Sequence, residues 1–296
     1  MAINKESILI DGRLVAKTVK EEIRKEIAKM VDLGQDGPHL VAVLVGDDPA
    51  SQTYVASKEK AAQAVGMMSS TYRYPADINE KELLDVVDYL NQDEEVDGFI
   101  VQLPLPKHID ENKVINRILP SKDVDGFTPV NVGNMVLGKP AFISATPYGI
   151  MELLKYYKID TEGKHVVVLG RSNIVGRPMS ILLSQKSDFG NATVTLCHSK
   201  TKNMAEITRT ADILICAIGQ PQFVKAEMVK EGAVVIDVGI HRLGDDTAKK
   251  GYRIVGDVDF DKVAGKTSYI TPVPGGVGPM TIAMLLRNTL LAHKKG

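Results

Sequence analysis

Tryptophan is absent from the 296-residue chain, and aromatic residues make up only 5% of it. A core of that composition must be filled by Val, Ile, Leu and Met, as buried parallel sheets commonly are. Cysteine is scarce as well. Cys197 and Cys216 lie in apolar runs and form no Cys-x-x-Cys pair, so buried thiols in a reducing compartment are expected. Neither sign of charge is in excess. A net charge of −1 excludes a broad basic surface for nucleic acid and leaves only local patches for small anions. No apolar run approaches the ~20 residues that span a bilayer. Met1–Leu14 has no basic segment followed by a long apolar core, so no signal peptide is expected. A cytoplasmic location, with neither membrane nor nucleic acid as partner, is the default expectation.

What is present is an ordinary globular balance, 44% hydrophobic and 25% charged, over a length that suggests two domains. Short apolar runs alternate with longer amphipathic ones. Residues 40–45 and 98–103 read as strands, and residues 51–65 and 79–90 as helices, with Asn79 a cap. This β-α rhythm predicts a mostly parallel sheet covered by helices. Between Pro104 and Pro147 it breaks into a loop-rich stretch punctuated by proline and glycine, the kind of chain that carries binding sites. It then resumes: helix 147–157, strand 164–169, helix 176–184, strands 192–197, 213–217 and 234–238, and a last helix 279–293. That spacing fits a Rossmann-like unit.

Within the second unit the strand 166–169 runs into Gly170-Arg171-Ser172-Asn173-Ile174-Val175-Gly176-Arg177-Pro178. Glycines in a strand-to-helix turn let backbone approach a pyrophosphate at a helix N-terminus. The loop departs from Gly-x-Gly-x-x-Gly, since Ser172 replaces the second glycine, and a plain tight turn is the competing reading. The following strand ends Leu196-Cys197-His198-Ser199-Lys200 without the carboxylate that binds the ribose of NAD. Arg171, Ser199 and Lys200 are suited to a 2′-phosphate instead, which favours NADP.

In the first unit Ser51, Tyr54 and Lys58 share one face of a predicted helix. Tyr54 offers an aromatic wall and Lys58 a proton-transfer group. A Tyr-x-x-x-Lys pair also marks short-chain dehydrogenases, but there it lies downstream of the nucleotide loop and here it lies upstream. Gln102 sits in the Val101–Pro106 run as a polar side chain at a strand's carboxyl end. In Asp123-Val124-Asp125-Gly126-Phe127 the two carboxylates would point to one side if the segment is extended. No third ligand has suitable spacing, so no metal site is expected, and a carboxylate gripping a nitrogen-rich ring is the better reading. Thr271–Thr281 packs three prolines and three glycines into a constrained strap, which as structure joins elements and as function presses backbone against a ligand.

Taken in order, Tyr54-x-x-x-Lys58, Val101–Pro106, Asp123–Phe127, Gly170–Pro178, Cys197-His198-Ser199-x-Thr201 and Pro272–Thr281 resemble the methylenetetrahydrofolate dehydrogenase/cyclohydrolase family, the FolD-type enzymes, over nearly the whole chain. The resemblance implies an α/β fold of two domains. One is a folate-binding catalytic domain over residues 1–148, joined by the C-terminal helix 279–296. The other is a Rossmann-like NADP-binding domain over 149–278. It implies NADP-dependent oxidation of 5,10-methylenetetrahydrofolate, hydrolysis of the methenyl product to 10-formyltetrahydrofolate, and a homodimer. The implied catalytic residues are Lys58, Gln102, Asp125 and Tyr54. The implied substrate-binding residues are Ser51, Tyr54, Lys58, Val101, Gln102, Leu103, Asp125, Pro274, Gly275 and Gly276. Gly170, Arg171, Ser172, Ser199 and Ile240 are implied to contact NADP. One departure from the family pattern is a longer stretch at Gln185–Asn191, expected to alter either a surface loop or the adenosine end of the site. A monofunctional dehydrogenase of the same fold and a nucleotide-binding protein without catalysis are the rivals. Lys58 with Gln102, and Tyr54 with Asp125, argue against them.

Overall fold

The computed structural model describes residues 7–245, 247–248 and 251–295. Its contacts divide the chain into two units. One comprises the chain through Ala16 together with Thr146–Thr281, and the other Lys17–Ala145 together with the chain from Ile282. The divisions fall inside α1 (Gly12–Asp32), after the first residue of α6 (Ala145–Tyr156) and inside α10 (Val277–His293).

The second of these, the three-stranded unit, has parallel strands ordered β3-β2-β4. They are β2 (His39–Val45), β3 (Met68–Tyr74) and β4 (Gly98–Val101). Beyond α1 come the helices α2 (Pro49–Ala64), α3 (Glu80–Gln92), α4 (Glu111–Arg117) and α5 (Pro129–Val136). In α1, Val19, Ile23 and Ile27 recur every fourth residue and are buried, an apolar stripe that holds the helix to its neighbours. Asp48 accepts the Ser51 N–H at 2.7 Å and Pro49 opens α2, so the helix starts where both cap and fixed φ favour it. Asn79 caps α3 by accepting from Glu82 N at 2.8 Å. The predicted loop stretch 104–147 holds α4 and α5. Their prolines and acids start helices: Asp110 caps α4, and Thr128 caps α5 with Pro129 in its first turn. From Ile282 onward α10 counts with this unit. Arg287 pairs with Glu22 at 2.8 Å and Lys294 pairs with Glu26.

The six-stranded unit is a parallel sheet ordered β1-β11-β8-β7-β5-β6. Its strands are β1 (Ile8–Leu9), β5 (His165–Leu169), β6 (Thr193–Cys197), β7 (Ile213–Cys216), β8 (Val234–Asp237) and β11 (Tyr269–Ile270). The remaining elements are α6 (Ala145–Tyr156), α7 (Gly176–Ser184), α8 (Met204–Thr208) and α9 (Phe260–Val263), with an antiparallel hairpin β9 (His241–Gly244) and β10 (Tyr252–Val255). Residues 166–169, 213–216 and 234–237 are buried throughout, as central parallel strands are.

The expected boundary at residue 148 put the amino terminus with the folate domain. The structure assigns the described residues through Ala16 to the six-stranded unit, because Ile8 and Leu9 extend its ladder beside Tyr269 and Ile270. The expected boundary at 279 is likewise displaced, to within α10 after Thr281. Residues 1–6 and 296 of those expected domains lie outside the described residues. Among the described residues no helix is long and apolar enough to cross a membrane.

Candidate active site

In an open parallel sheet, ligands bind beyond the carboxyl ends of the strands, where the strand order reverses direction. In the three-stranded unit that point lies between β2 and β4. Three segments end there. α2 follows β2 and carries Ser51, Tyr54 and Lys58. Gln102 directly follows β4, its N–H bonded to Val43 O at 2.9 Å. Residues 122–124 add a short rung beside β4, with Phe99 N donating to Lys122 O at 3.0 Å, and Asp125 follows it.

Lys58 is 7% exposed. Its Nζ donates to Gln102 Oε1 at 3.1 Å and lies 5.2 Å from the Tyr54 ring centroid. The Gln102 Nε2 donates to Leu103 O at 2.6 Å, which turns the amide oxygen toward the lysine. Burial lowers the Lys58 pKa below its ordinary value, and the Asp125 carboxylate opposes that shift. Burial raises the Asp125 pKa; Lys58 pulls it back and Asp123 adds to it. Desolvation thus dominates for both groups, the condition under which a lysine can be neutral near working pH. Ser51 is buried and Tyr54 half-buried, so the three α2 residues do share a face. Val101 is buried at the end of β4, with Leu103 half-buried just beyond.

The extended-segment reading of Asp123–Asp125 does not hold. The chain turns at Gly126, whose φ is 72°, and Gly126 N donates to Asp123 O. Asp123 is buried and occupied. It accepts from Phe127 N, from Thr128 N and Oγ1, and from Asn131 Nδ2. It shapes the loop that presents Asp125. A second support escaped the sequence reading: Asn288 of α10, 1% exposed, donates to Val124 O at 2.8 Å and to Ile143 O at 3.0 Å. The available signal was a lone amide among Leu285, Leu286 and Leu290.

The six-stranded unit reverses order between β5 and β7, and Gly170 follows β5. Its φ is +114°, and a Cβ there would lie 2.0 Å from Ala217 O. Gly176 opens α7, where a Cβ would lie 2.0 Å from Gly170 O. Both positions exclude a side chain, so the turn presents bare backbone. Ser172, in place of the motif's second glycine, accepts from Val175 N at 3.1 Å and Gly176 N at 3.3 Å and so secures the helix start. Arg177 is held by Asn173 at 2.7 Å. Arg171, Ser199 and Lys200 are exposed, and no carboxylate ends β6. This donor set fits a nucleotide bearing an extra phosphate. Ile240 is 56% exposed and lines a pocket of ≈ 160 Å³ together with Arg13, Asp237, Pro274, Gly275 and Gly276. The strap is packed hard against α1, since a Cβ on Gly12 would lie 1.7 Å from Gly276 O.

The longer stretch Gln185–Asn191 is a compact turn, with Asn191 N donating to Gln185 O at 2.8 Å. It precedes β6 at the amino ends of the strands, where His165 pairs with Thr193. Of its two expected effects, only the surface-loop one survives.

Comparison with known proteins agrees with these two halves. The family description "Tetrahydrofolate dehydrogenase/cyclohydrolase, catalytic domain" matches residues 10–125, and the corresponding NAD(P)-binding domain matches residues 144–296. A protein of Phocaeicola vulgatus named "Bifunctional protein FolD" is 61% identical over 287 residues, covering 97% of this chain and 98% of that protein. The crystal structure of bifunctional FolD from Campylobacter jejuni superposes with a TM-score of 0.92 at 49% identity, covering 98% of this chain and 99% of that one. The Trypanosoma brucei enzyme, solved with NADP cofactor and inhibitor, gives a TM-score of 0.92 at 42% identity, covering 98% of both chains. On the strength of both domain matches and these full-length relatives, the chain belongs to the tetrahydrofolate dehydrogenase/cyclohydrolase family.

Proposed function

We propose that this chain is a bifunctional enzyme of one-carbon metabolism whose chemistry is carried by Lys58, Gln102, Asp125 and Tyr54. It oxidises 5,10-methylenetetrahydrofolate with NADP to 5,10-methenyltetrahydrofolate and hydrolyses that product to 10-formyltetrahydrofolate. The single observation that carries the reading is the buried Lys58 ammonium hydrogen-bonded by Gln102.

When bound, NADP supplies the acceptor for the hydride that leaves the methylene carbon. Gly170, Arg171, Ser172, Ser199 and Ile240 would hold it, and Arg171 and Ser199 would take the 2′-phosphate. Tyr54 stacks on the folate and Asp125 grips the pteridine nitrogens. Ser51, Val101 and Leu103 line the folate subsite of their unit. Pro274, Gly275 and Gly276 line the strap pocket of theirs. In the hydrolysis, water oxygen bonds to the methenyl carbon while neutral Lys58 takes one water proton. The second proton goes to solvent as the carbonyl forms. The carbon–N5 bond breaks, and Lys58 returns its proton to N5. Gln102 accepts a hydrogen bond from Nζ throughout and so fixes where the lone pair points.

The pH dependence follows from the direction of the Lys58 shift. Below its lowered pKa Lys58 is charged and cannot accept the water proton; above it the group is neutral and active. Enzymatic hydrolysis is therefore expected to rise with pH through a midpoint below the ~10.4 of free lysine. A background-corrected kcat profile measures this. A flat profile, or a midpoint at the free-lysine value, contradicts it.

Arg171→Ala is expected to raise the KM for NADP roughly 10- to 100-fold, the worth of one charge-assisted phosphate contact, with the KM for NAD little changed. Equal effects on both nucleotides, by steady-state kinetics, would refute the phosphate assignment. A cytoplasmic homodimer, supported by family resemblance, is read by sedimentation as twice the monomer mass.

A further inference from the structure

Two carboxylates that this chemistry leaves unused lie under the loops at the carboxyl ends of β7 and β8. Asp237 is 3% and Asp257 0% exposed. Asp237 Oδ1 accepts from Gly239 N at 3.0 Å and Asp257 N at 2.8 Å, and Oδ2 from Val258 N at 3.0 Å. Asp257 Oδ2 accepts from Ile218 N at 2.8 Å and Gly219 N at 3.0 Å. Its Oδ1 accepts from Gln220 N at 2.9 Å and meets His241 Nε2 at 2.8 Å.

The surrounding glycines are shaped by these groups. A Cβ on Gly239 would lie 2.4 Å from Asp257 N and Oδ1, and one on Gly256 would lie 1.9 Å from Asp237 Oδ2. Burying two neighbouring carboxylates is costly unless each is fully hydrogen-bonded. Burial pushes Asp237 up to about 7 against the pull of its N–H donors. That cost is spent on three backbone segments. Ile218–Gln220 follow β7, across the order reversal from Gly170; the preceding Ala217 O is the atom that a Cβ on Gly170 would strike. Gly239 precedes Ile240, which lines the strap pocket. Residues 257–258 follow the hairpin whose first residue is His241.

We propose that Asp237, Asp257 and His241 form a clasp that positions the Ile218–Gln220 and Gly239–Ile240 loops to receive NADP. They are positioning residues for the oxidation step and have no part in the hydrolysis. The proposal rests on the NADP reading of the six-stranded unit.

The two activities provide the control. Asp237→Asn keeps the side-chain size but turns one acceptor into a donor facing N–H groups. It is expected to raise the KM for NADP at least ~10-fold, with hydrolysis of supplied methenyltetrahydrofolate falling several-fold less than oxidation. His241→Ala removes only the clasp's partly exposed member and is expected to raise that KM roughly 3- to 10-fold. His241→Gln, whose amide N–H reaches the same oxygen, restores it. An unchanged KM for NADP in these variants overturns the proposal. So does a parallel fall of oxidation and hydrolysis, which marks a structural loss alone. If Asp237→Asn does not fold, the His241 pair decides by the same criteria. Wild-type enzyme that fails to oxidise methylenetetrahydrofolate with NADP refutes the underlying reading, and is measured first.

Discussion

Lys58→Met is expected to slow hydrolysis of methenyltetrahydrofolate by about 10²- to 10⁴-fold, the range assigned to a positioned general acid–base, while NADP binding survives. Met is close to lysine in length, so the buried space beside Gln102 and Tyr54 stays filled. Stability distinguishes loss of chemistry from loss of structure. The folded state holds the Lys58 proton less tightly than the unfolded chain does, since burial lowers its pKa. Lys58 therefore costs stability at every pH below its lowered pKa, and that cost fades as pH rises toward the value of free lysine. Removing the charge should leave the melting temperature at neutral pH unchanged or higher. A folded variant that hydrolyses at the wild-type rate would remove Lys58 from the mechanism. Lys58→Arg should fail as completely, because a guanidinium does not give up its proton.

Gly170→Ala is expected to abolish use of NADP and to cost ~4 kcal/mol of stability. Two penalties act together. A side chain at φ +114° is strained wherever it sits, and its Cβ would lie 2.0 Å from Ala217 O. Neither neighbour yields easily: Ala217 N donates to Leu169 O at 2.8 Å, so both atoms belong to the β5–β7 ladder. Thermal melting should show a fall of roughly 10 °C, and NADP titration no binding. A normal melting temperature with an ordinary KM for NADP would show that the turn has room for a side chain. By contrast, Lys58→Met spares NADP binding, so the two variants separate the nucleotide turn from the hydrolytic lysine.

Much of this was legible in the residues. The β-α rhythm located β2, β4 and β5 to β8, because central parallel strands are continuous apolar runs, together with α2, α3, α6, α7 and α10, but not the short helices α4, α5 and α8. The stripe Val15, Val19, Ile23, Ile27 carries the same kind of signal for α1, an apolar residue every fourth position. β3 was hidden for a physical reason. Its sequence, Met-Ser-Ser-Thr-Tyr-Arg-Tyr, is that of an edge strand: Tyr72 and Tyr74 pack on the core, but the serines, threonine and arginine between them leave no continuous apolar run. β1 and β11 are two residues long each and exist only as ladder partners, so no local pattern could reveal them, and the placement of the amino terminus went with them. At the site, Tyr54, Lys58 and Gln102 could be nominated from helix spacing and strand ends. Which of Asp123 and Asp125 is spent on backbone N–H groups depends on the turn at Gly126. The supports at Asn288, Asp237 and Asp257 depend on segments far apart in sequence.

A bifunctional enzyme must perform both reactions on one chain. The direct measurement adds methylenetetrahydrofolate and NADP to the purified protein and follows NADPH and methenyl absorbance together. The expected result is NADPH formed in excess of the methenyl compound present, with the difference recovered as 10-formyltetrahydrofolate. NADPH and methenyl compound accumulating one for one would contradict the hydrolytic half, and no NADPH at all would contradict the whole.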